Sequence, residues 1–303
     1  MKIIIVGQGP FGEKVLEALI RKGEKIIGIF SPPDKRGEAM SIVAEKKGIF
    51  SLRPYSMKDP RVQETFIKLK PDLGLLAFVT DILPEKLLEI PLIGTICYHP
   101  SLLPKHRGAS AIYWAIIQGD TRTGLTIFWA DKGIDTGPIL LQKEIEVHPE
   151  DTAGSLYFNT LFPLGVEAMV EAVDLIKKGE ATKIPQDESK ATYEPPCDDR
   201  VALIDFKKTI QETFNLIRGC DPQPGAYTIF KEKKIRFYGA QMQISKESTL
   251  PGTILSVDKE RLHIAAKGGI LKIEKLRVDQ GEKIGAAELV QSLKMKMGDR
   301  FVG

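Results

Sequence analysis

Two short stretches of the chain carry side chains able to move protons. The first is Cys97-Tyr98-His99-Pro100-Ser101-Leu102-Leu103-Pro104-Lys105-His106-Arg107-Gly108, in which His99 ends an apolar segment and opens a loop bounded by prolines. Imidazole exchanges a proton near neutral pH, so a histidine at the end of a strand suits general acid/base work. The plainer reading is an ordinary hydrogen-bonded histidine. The second stretch, Asp131-Lys132-Gly133-Ile134-Asp135-Thr136-Gly137, follows another apolar segment. It begins like a calcium loop but has no glutamate at the twelfth place. It reads either as a turn joining two strands or as a loop whose carboxylate orients a histidine and alters its protonation.

A third stretch, Gly7-Gln8-Gly9-Pro10-Phe11-Gly12, follows an apolar strand and precedes a helix. That is the context of a dinucleotide fingerprint, which would make the protein an NAD-dependent oxidoreductase. Such a fingerprint expects an acidic residue at the end of the next strand. Here the segment is Ser31-Pro32-Pro33-Asp34, whose two prolines make a poor ribose clamp. The same glycines equally serve a phosphate or acceptor loop at a helix N-terminus, or a plain tight turn.

The elements that must position these stretches follow from periodicity. Lys2–Val6, Lys25–Phe30, Asp72–Phe78, Gly94–Tyr98 and Gly124–Ala130 read as apolar strands. Phe11–Arg21, Glu38–Lys47 and Arg61–Leu69 have helical spacing between them. This alternation predicts an α/β, Rossmann-like, mostly parallel sheet with helices on both faces. Ligands in such folds sit beyond the carboxyl ends of the strands, where the three stretches fall. Asp151-Thr152 then caps a long helix predicted to run to Lys178, and Gly179 ends it. The proline-bearing stretch Ile184–Arg200 reads as a linker, and Phe206–Arg218 as a helix. Ala226–Phe230, Ile235–Ile244, Gly252–Val257, Arg261–Ala266 and Ile270–Val278 read as short strands, a pattern expected of a small OB-like β-barrel domain. The boundaries expected are 1–183 for the catalytic domain, 184–206 for the linker and 207–303 for the barrel.

Composition narrows the class. The 303 residues are 43% hydrophobic and 27% charged, as in ordinary globular proteins. No apolar run approaches the roughly 18 residues a membrane span needs, so no membrane partner is expected. The start reads as a buried strand rather than a secretory signal. Cys97, Cys197 and Cys220 are widely spaced and odd in number, neither a disulfide framework nor a zinc pattern, which points to a cytoplasmic setting. The net charge of +3 is uneven: from Arg200 onward 19 Lys and Arg face 12 Asp and Glu, against 24 and 28 before it. A basic C-terminal part is open to two readings, contact with nucleic acid or a solvated lysine-rich surface.

The run from His99 to Ile112, H-P-S-L-L-P-K-H-R-G-A-S-A-I, followed by D-K-G-I-D-T-G, resembles the formyltransferases that use 10-formyltetrahydrofolate. The N-terminal part is most similar to the hydrolase domains of 10-formyltetrahydrofolate dehydrogenases, notably in Tyr98–Trp114, Ile127–Glu144 and Tyr157–Phe162. Gln186–Tyr193, Ile204–Phe206, Pro222–Thr228 and Ile284–Phe301 resemble methionyl-tRNA formyltransferases. The resemblance implies a formyl donor, 10-formyltetrahydrofolate, and no metal. It implies catalytic roles for His99 and Asp135, with Cys97 at the position of the family's asparagine. An asparagine amide donates to the oxyanion formed on attack at a formyl carbon, and a thiol is a weak donor. Cys97 is equally read as a small apolar filler. By the same resemblance folate meets Asp81, Ile82, Leu83, Ser101, Asp131 and Gly133, while Gly7, Gln8, Gly9 and Pro10 form an acceptor-side loop. The implied reaction is hydrolysis of the donor or transfer to a small amine or to Met-tRNA, by a monomer or homodimer. The loop after the second strand, Pro32–Met40, is shorter than the basic loop of tRNA formyltransferases, which argues against tRNA. The basic C-terminal part argues for it.

Overall fold

Ile3, Ile4 and Ile5 are completely buried, and a strand of this kind has both faces covered. In the computed structural model, which describes residues 1–246 and 248–302, they lie in β1 (Lys2–Gly7). The chain forms two compact units. The first holds Met1–Ala109, Thr123–Ile145 and Phe158–Glu194; the second holds Ser110–Arg122, Glu146–Tyr157 and the chain from Pro195 on.

In the first unit β1 is followed by α1 (Gly9–Arg21), β2 (Lys25–Phe30), α2 (Lys35–Lys46), β3 (Phe50–Leu52), α3 (Pro60–Leu69), β4 (Leu73–Ala77), α4 (Glu85–Leu88) and β5 (Gly94–His99). After α5 (Ala111–Ile117), which belongs to the second unit, come β6 (Arg122–Trp129) and β7 (Ile139–Glu146). The sheet order is β3-β2-β1-β4-β5-β6-β7. Strands β1 to β5 pair in parallel. Strand β6 runs antiparallel to β5, with Ile96 opposite Trp129 and His99 opposite Thr126. Periodicity shows that Gly124–Ala130 is a strand but carries no sign of its direction, so the sheet is mixed at this edge. β1 has β2 on one side and β4 on the other, which places a strand-order reversal at their carboxyl ends.

Helix α1 buries Phe11, Val15, Leu16 and Leu19 on one side, as its spacing requires. Phe11 stacks on Tyr98 of β5 at 4.3 Å and meets Phe162 edge-on at 5.6 Å. Such contacts are worth about 0.5–1.5 kcal/mol each beyond the area they bury. The helix expected from Thr152 to Lys178 is three pieces: α6 (Ala153–Leu156), a π-turn over Tyr157–Leu161, and α7 (Phe162–Lys178). Pro163 sits in the first turn of α7, where its missing N–H breaks the regular ladder.

In the second unit α8 (Ile210–Gly219) starts later than its apolar pattern suggested. Thr209 and Glu212 form a capping box that sets its first turn. Strands β8 (Tyr227–Phe230), β9 (Lys233–Ile244), β10 (Ile254–Val257), β11 (Leu262–Ala266) and β12 (Gly269–Val278) form an antiparallel sheet in the order β10-β11-β12-β9-β8. A sixth, β13 (Ile284–Gly285), pairs with β12 and leads into α9 (Ala286–Ser292). Arg300 bridges Thr253 beside one edge of the sheet and Val302 bridges Ile229 at the other, so the C-terminal segment ties the two edges together. Phe206, Phe214, Phe237 and Phe301 fill the core behind this sheet. Among the described residues no helix is long and apolar enough to cross a membrane.

Candidate active site

Because β1, β4 and β5 are neighbouring parallel strands, their carboxyl ends share one edge of the sheet. His99 is the last residue of β5 and is 5% exposed. The loop after it is tied back to β6 and β7. Ser101 Oγ donates to Lys105 O at 2.6 Å, and Thr126 Oγ1 donates to Ser101 O at 2.6 Å. Gln142 Nε2 donates to Leu103 O at 2.9 Å. The Ser101 hydroxyl is therefore engaged within its own loop.

His106 has φ 55, in the left-handed region, a cost for a residue with a Cβ that surrounding contacts must over-determine. They do so here: His106 N donates to Thr192 Oγ1 at 2.8 Å, and its Nδ1 lies 3.2 Å from Glu194 Oε1. The result is a His106 carbonyl 2.8 Å from His99 Nε2. A carbonyl only accepts, so His99 Nε2 carries the hydrogen. That leaves Nδ1 as the proton-exchanging nitrogen, and Asp135 Oδ2 faces it at 3.5 Å. In the imidazolium form both ring N–H groups have an acceptor. The same Asp135 oxygen accepts from Gly108 N at 2.8 Å.

Asp135 reaches His99 in a way its position after a strand does not explain. Strand β6 is antiparallel, so it ends beside the start of β5, where Ala130 N donates to Thr95 O at 2.8 Å. The loop then doubles back along β5 to bring Asp135, itself at φ 56, to the strand's far end. Asp131 Oδ1 shapes the turn by accepting from Gly133 N at 3.0 Å and Thr136 Oγ1 at 2.6 Å. The glycines are required by close approach: a Cβ on Gly133 would lie 2.0 Å from Thr136 Oγ1, and one on Gly137 1.7 Å from Trp129 O.

Cys97 stands two residues before His99 and packs against the apolar cluster of Leu76, Leu83, Leu87 and Leu88. Burial pushes its thiol well above the usual range, and the negative charge of Asp135 adds to the effect. A thiol so held stays protonated, which suits a filler and not a nucleophile.

The other expected residues are distributed unevenly. Asp81 accepts from Met57 N at 3.1 Å, Ile82 is 63% exposed, and Leu83 is buried in the apolar cluster. Gly7 to Pro10 lie at the end of β1 and start of α1, with Gly9 at φ 62. Gln8 is held in the crevice between β1 and β4, its Nε2 donating to Thr80 Oγ1 at 3.1 Å. Asp34, the carboxylate nearest the end of β2, caps α2 and is gripped by the Arg36 guanidinium at 2.8 Å. A cavity of about 470 Å³ opens at the other end of β5, lined by Thr95, Trp129, Asp131, Lys132 and Lys183 among others. It touches the Asp131 loop but begins a strand's length from His99.

Residues outside the expected site complete it. Arg107, 2% exposed, binds Glu188 through both terminal nitrogens at 2.9 and 2.6 Å and Gln186 Oε1 at 2.7 Å. Gln186 Nε2 in turn donates to Asp135 O at 2.8 Å and Gly137 O at 2.7 Å. Tyr193 Oη donates to Ile134 O at 3.1 Å. Gln186, Glu188 and Tyr193 lie in the stretch expected to be a linker, where proline and charge interrupt any periodicity. The available signal was Arg107 itself, a charged residue inside a motif of small and apolar ones.

Residues 1–173 match the family described as Formyl transferase, and residues 198–294 match Formyl transferase, C-terminal domain. Mitochondrial 10-formyltetrahydrofolate dehydrogenase of Homo sapiens is 38% identical over 305 residues, covering 95% of this chain and 33% of that protein. The chain thus spans about a third of the length of that relative. Methionyl-tRNA formyltransferase of Geobacter metallireducens is 34% identical over 309 residues, covering 99% of this chain and 98% of that protein. A crystal structure of an N-formyltransferase from Helicobacter canadensis, in complex with folinic acid and dTDP-3-aminofucose, is 19% identical. It superposes with a TM-score of 0.72 over 94% of this chain and all of that one, a likeness of fold.

Proposed function

This chain belongs to the formyl transferase family, and we propose that it cleaves or transfers the formyl group of 10-formyltetrahydrofolate with His99 and Asp135 at the reacting carbon. The observation that carries this reading is the pairing of His99 Nδ1 with Asp135 Oδ2 at the carboxyl end of β5. The acceptor's lone pair attacks the formyl carbon, an oxyanion forms, and the bond to N10 of the folate breaks as that nitrogen takes a proton. Imidazolium at His99 stabilises the developing negative charge. Asp135 holds that imidazolium and takes the acceptor's proton, through water, for delivery to N10. Cys97 supplies no strong donor to the oxyanion, which favours a slow reaction with water over rapid transfer to an amine. The apolar wall of Leu83, Leu87 and Cys97 beside the Asp131–Asp135 loop suits a flat ring system bound largely by backbone groups.

A second reading is formylation of Met-tRNA. It is supported by similarity over the full length of a methionyl-tRNA formyltransferase and by the positive balance from Arg200 on. One experiment separates them: incubation with 10-formyltetrahydrofolate, with and without Met-tRNA, following tetrahydrofolate release and formyl-Met-tRNA. Slow release independent of tRNA is the expected result. Release only with Met-tRNA, weakening steeply with salt, selects the tRNA reading. No release under either condition overturns both.

A further inference from the structure

The buried guanidinium of Arg107 faces no solvent that would hydrate it, so its partners decide what it does. Its two-pronged pairing with Glu188 fixes the plane of the fork; Gln186 Oε1 accepts from Nε at 3.2 Å and from Nη2 at 2.7 Å, and Tyr193 Oη accepts from Nη1 at 3.4 Å. Two charge-assisted bonds on its oxygen leave the Gln186 amide one orientation. In that orientation Nε2 directs a hydrogen to each of two carbonyls, Asp135 O at 2.8 Å and Gly137 O at 2.7 Å. Every hydrogen of the Gln186 amide is thereby used on the loop that carries Asp135. Asp135 is in the left-handed region, a conformation its own sequence does not impose. Its carboxylate is aimed by the N–H of Gly108, the residue next to Arg107. Arg107 therefore bears on the loop by three routes: through Gln186 on the backbone at Asp135 and Gly137, through Tyr193 on the carbonyl of Ile134, and through its neighbour Gly108 on the Asp135 side chain.

We propose that Gln186, held by buried Arg107, is a positioning residue: it sets the backbone at Asp135 and so aims the carboxylate at His99 Nδ1. The proposal rests on the reading above, in which Asp135 acts on His99. Gln186 touches neither reacting group, and its effect passes through Asp135.

The test is Gln186→Met in the full chain, a side chain of similar length without amide hydrogens. Turnover of 10-formyltetrahydrofolate should fall on the order of 10- to 100-fold, with KM for the donor nearly unchanged. In an Asp135→Asn background the same substitution should cost nothing further, because the group it positions is gone. Arg107→Lys, whose ammonium lacks the planar fork that pairs with Glu188 and Gln186 side by side, should reproduce part of the loss. A readout independent of turnover is the Gly108 amide proton, which in Gln186→Met should shift and exchange faster as the bond to Asp135 loosens. Gln186→Met with wild-type turnover, alongside a crippled Asp135→Asn, overturns the proposal. So do losses that multiply in the double variant, or an unmoved Gly108 amide. If Asp135→Asn keeps full activity, the catalytic reading fails instead, and the Gly108 amide still decides whether Gln186 positions the loop.

Discussion

Two loops at the carboxyl edge of the first unit's sheet are built on different physics. The Asp131–Gly137 loop is held by polar bonds: Asp131 closes its turn, Gln186 holds two of its carbonyls, Tyr193 a third, and Gly108 its key carboxylate. In the Asp81–Leu83 loop Asp81 accepts from Met57 N, Leu83 is buried and Ile82 stands in solvent. Polar bonds are directional and fix an atom's position, as a group moving protons requires. Apolar burial is non-directional and fixes only which surface is presented, which is enough to bind a ring. Substitutions in the first loop should therefore show in turnover, and those in the second in binding and stability.

The largest effect is expected at His99, on which the first loop bears. His99→Ala should abolish measurable turnover while circular dichroism stays unchanged, because Ser101, Thr126 and Thr192 still hold the loop. Activity within about threefold of wild type would remove His99 from the mechanism. Asp135→Asn should cost on the order of 10³-fold in kcat, since a neutral amide does not stabilise imidazolium. Superimposable pH–rate profiles for the two proteins would break the coupling between the pair.

The second loop should respond differently. Leu83→Ala should cost about 2–5 kcal/mol of stability by denaturant unfolding and raise KM for the donor more than it lowers kcat. Ile82→Ala, at an exposed position, should leave stability nearly unchanged. A Leu83→Ala protein that loses kcat alone would erase the distinction between the loops.

The smallest effects concern Cys97, which lies between them. Cys97→Ala should keep full activity if the residue is a filler, and Cys97→Asn should raise turnover if the amide fits beside His99. The pH dependence has a definite sign. Burial raises the Cys97 thiol, so its reactive thiolate should not form as pH rises through the ordinary thiol range. Cys197 is shifted the other way, downward, by its hydrogen-bonding contact with the Cys220 thiol 3.6 Å away. Iodoacetamide at pH 8, followed by peptide mass spectrometry, should label Cys197 well before Cys97; the reverse order would contradict both assignments.

The chain's own residue pattern determined that Ile3–Val6 would be a buried strand, that Phe11 to Leu19 would face it, and that His99 would end a strand. Each of these follows from local periodicity, which reports which side of an element is apolar. The π-turn at Tyr157–Leu161, the two-residue strand at Ile284–Gly285 and the helix Ala286–Ser292 went unread, because short or irregular elements leave no period to detect. Residue type marks the Asp131–Gly137 loop as a source of a carboxylate, whereas Asp135 and Cys97 are singled out by the resemblance to the formyltransferases. Only the tertiary structure decided that β6 runs antiparallel to β5, and hence that the Asp131 loop must double back to bring its second carboxylate to His99. It alone joined Arg107 to Gln186 across 79 residues and Gln186 to Asp135 across 51. Strand direction and long-range hydrogen bonds are properties of where distant segments meet, and no periodicity within a segment encodes its partner.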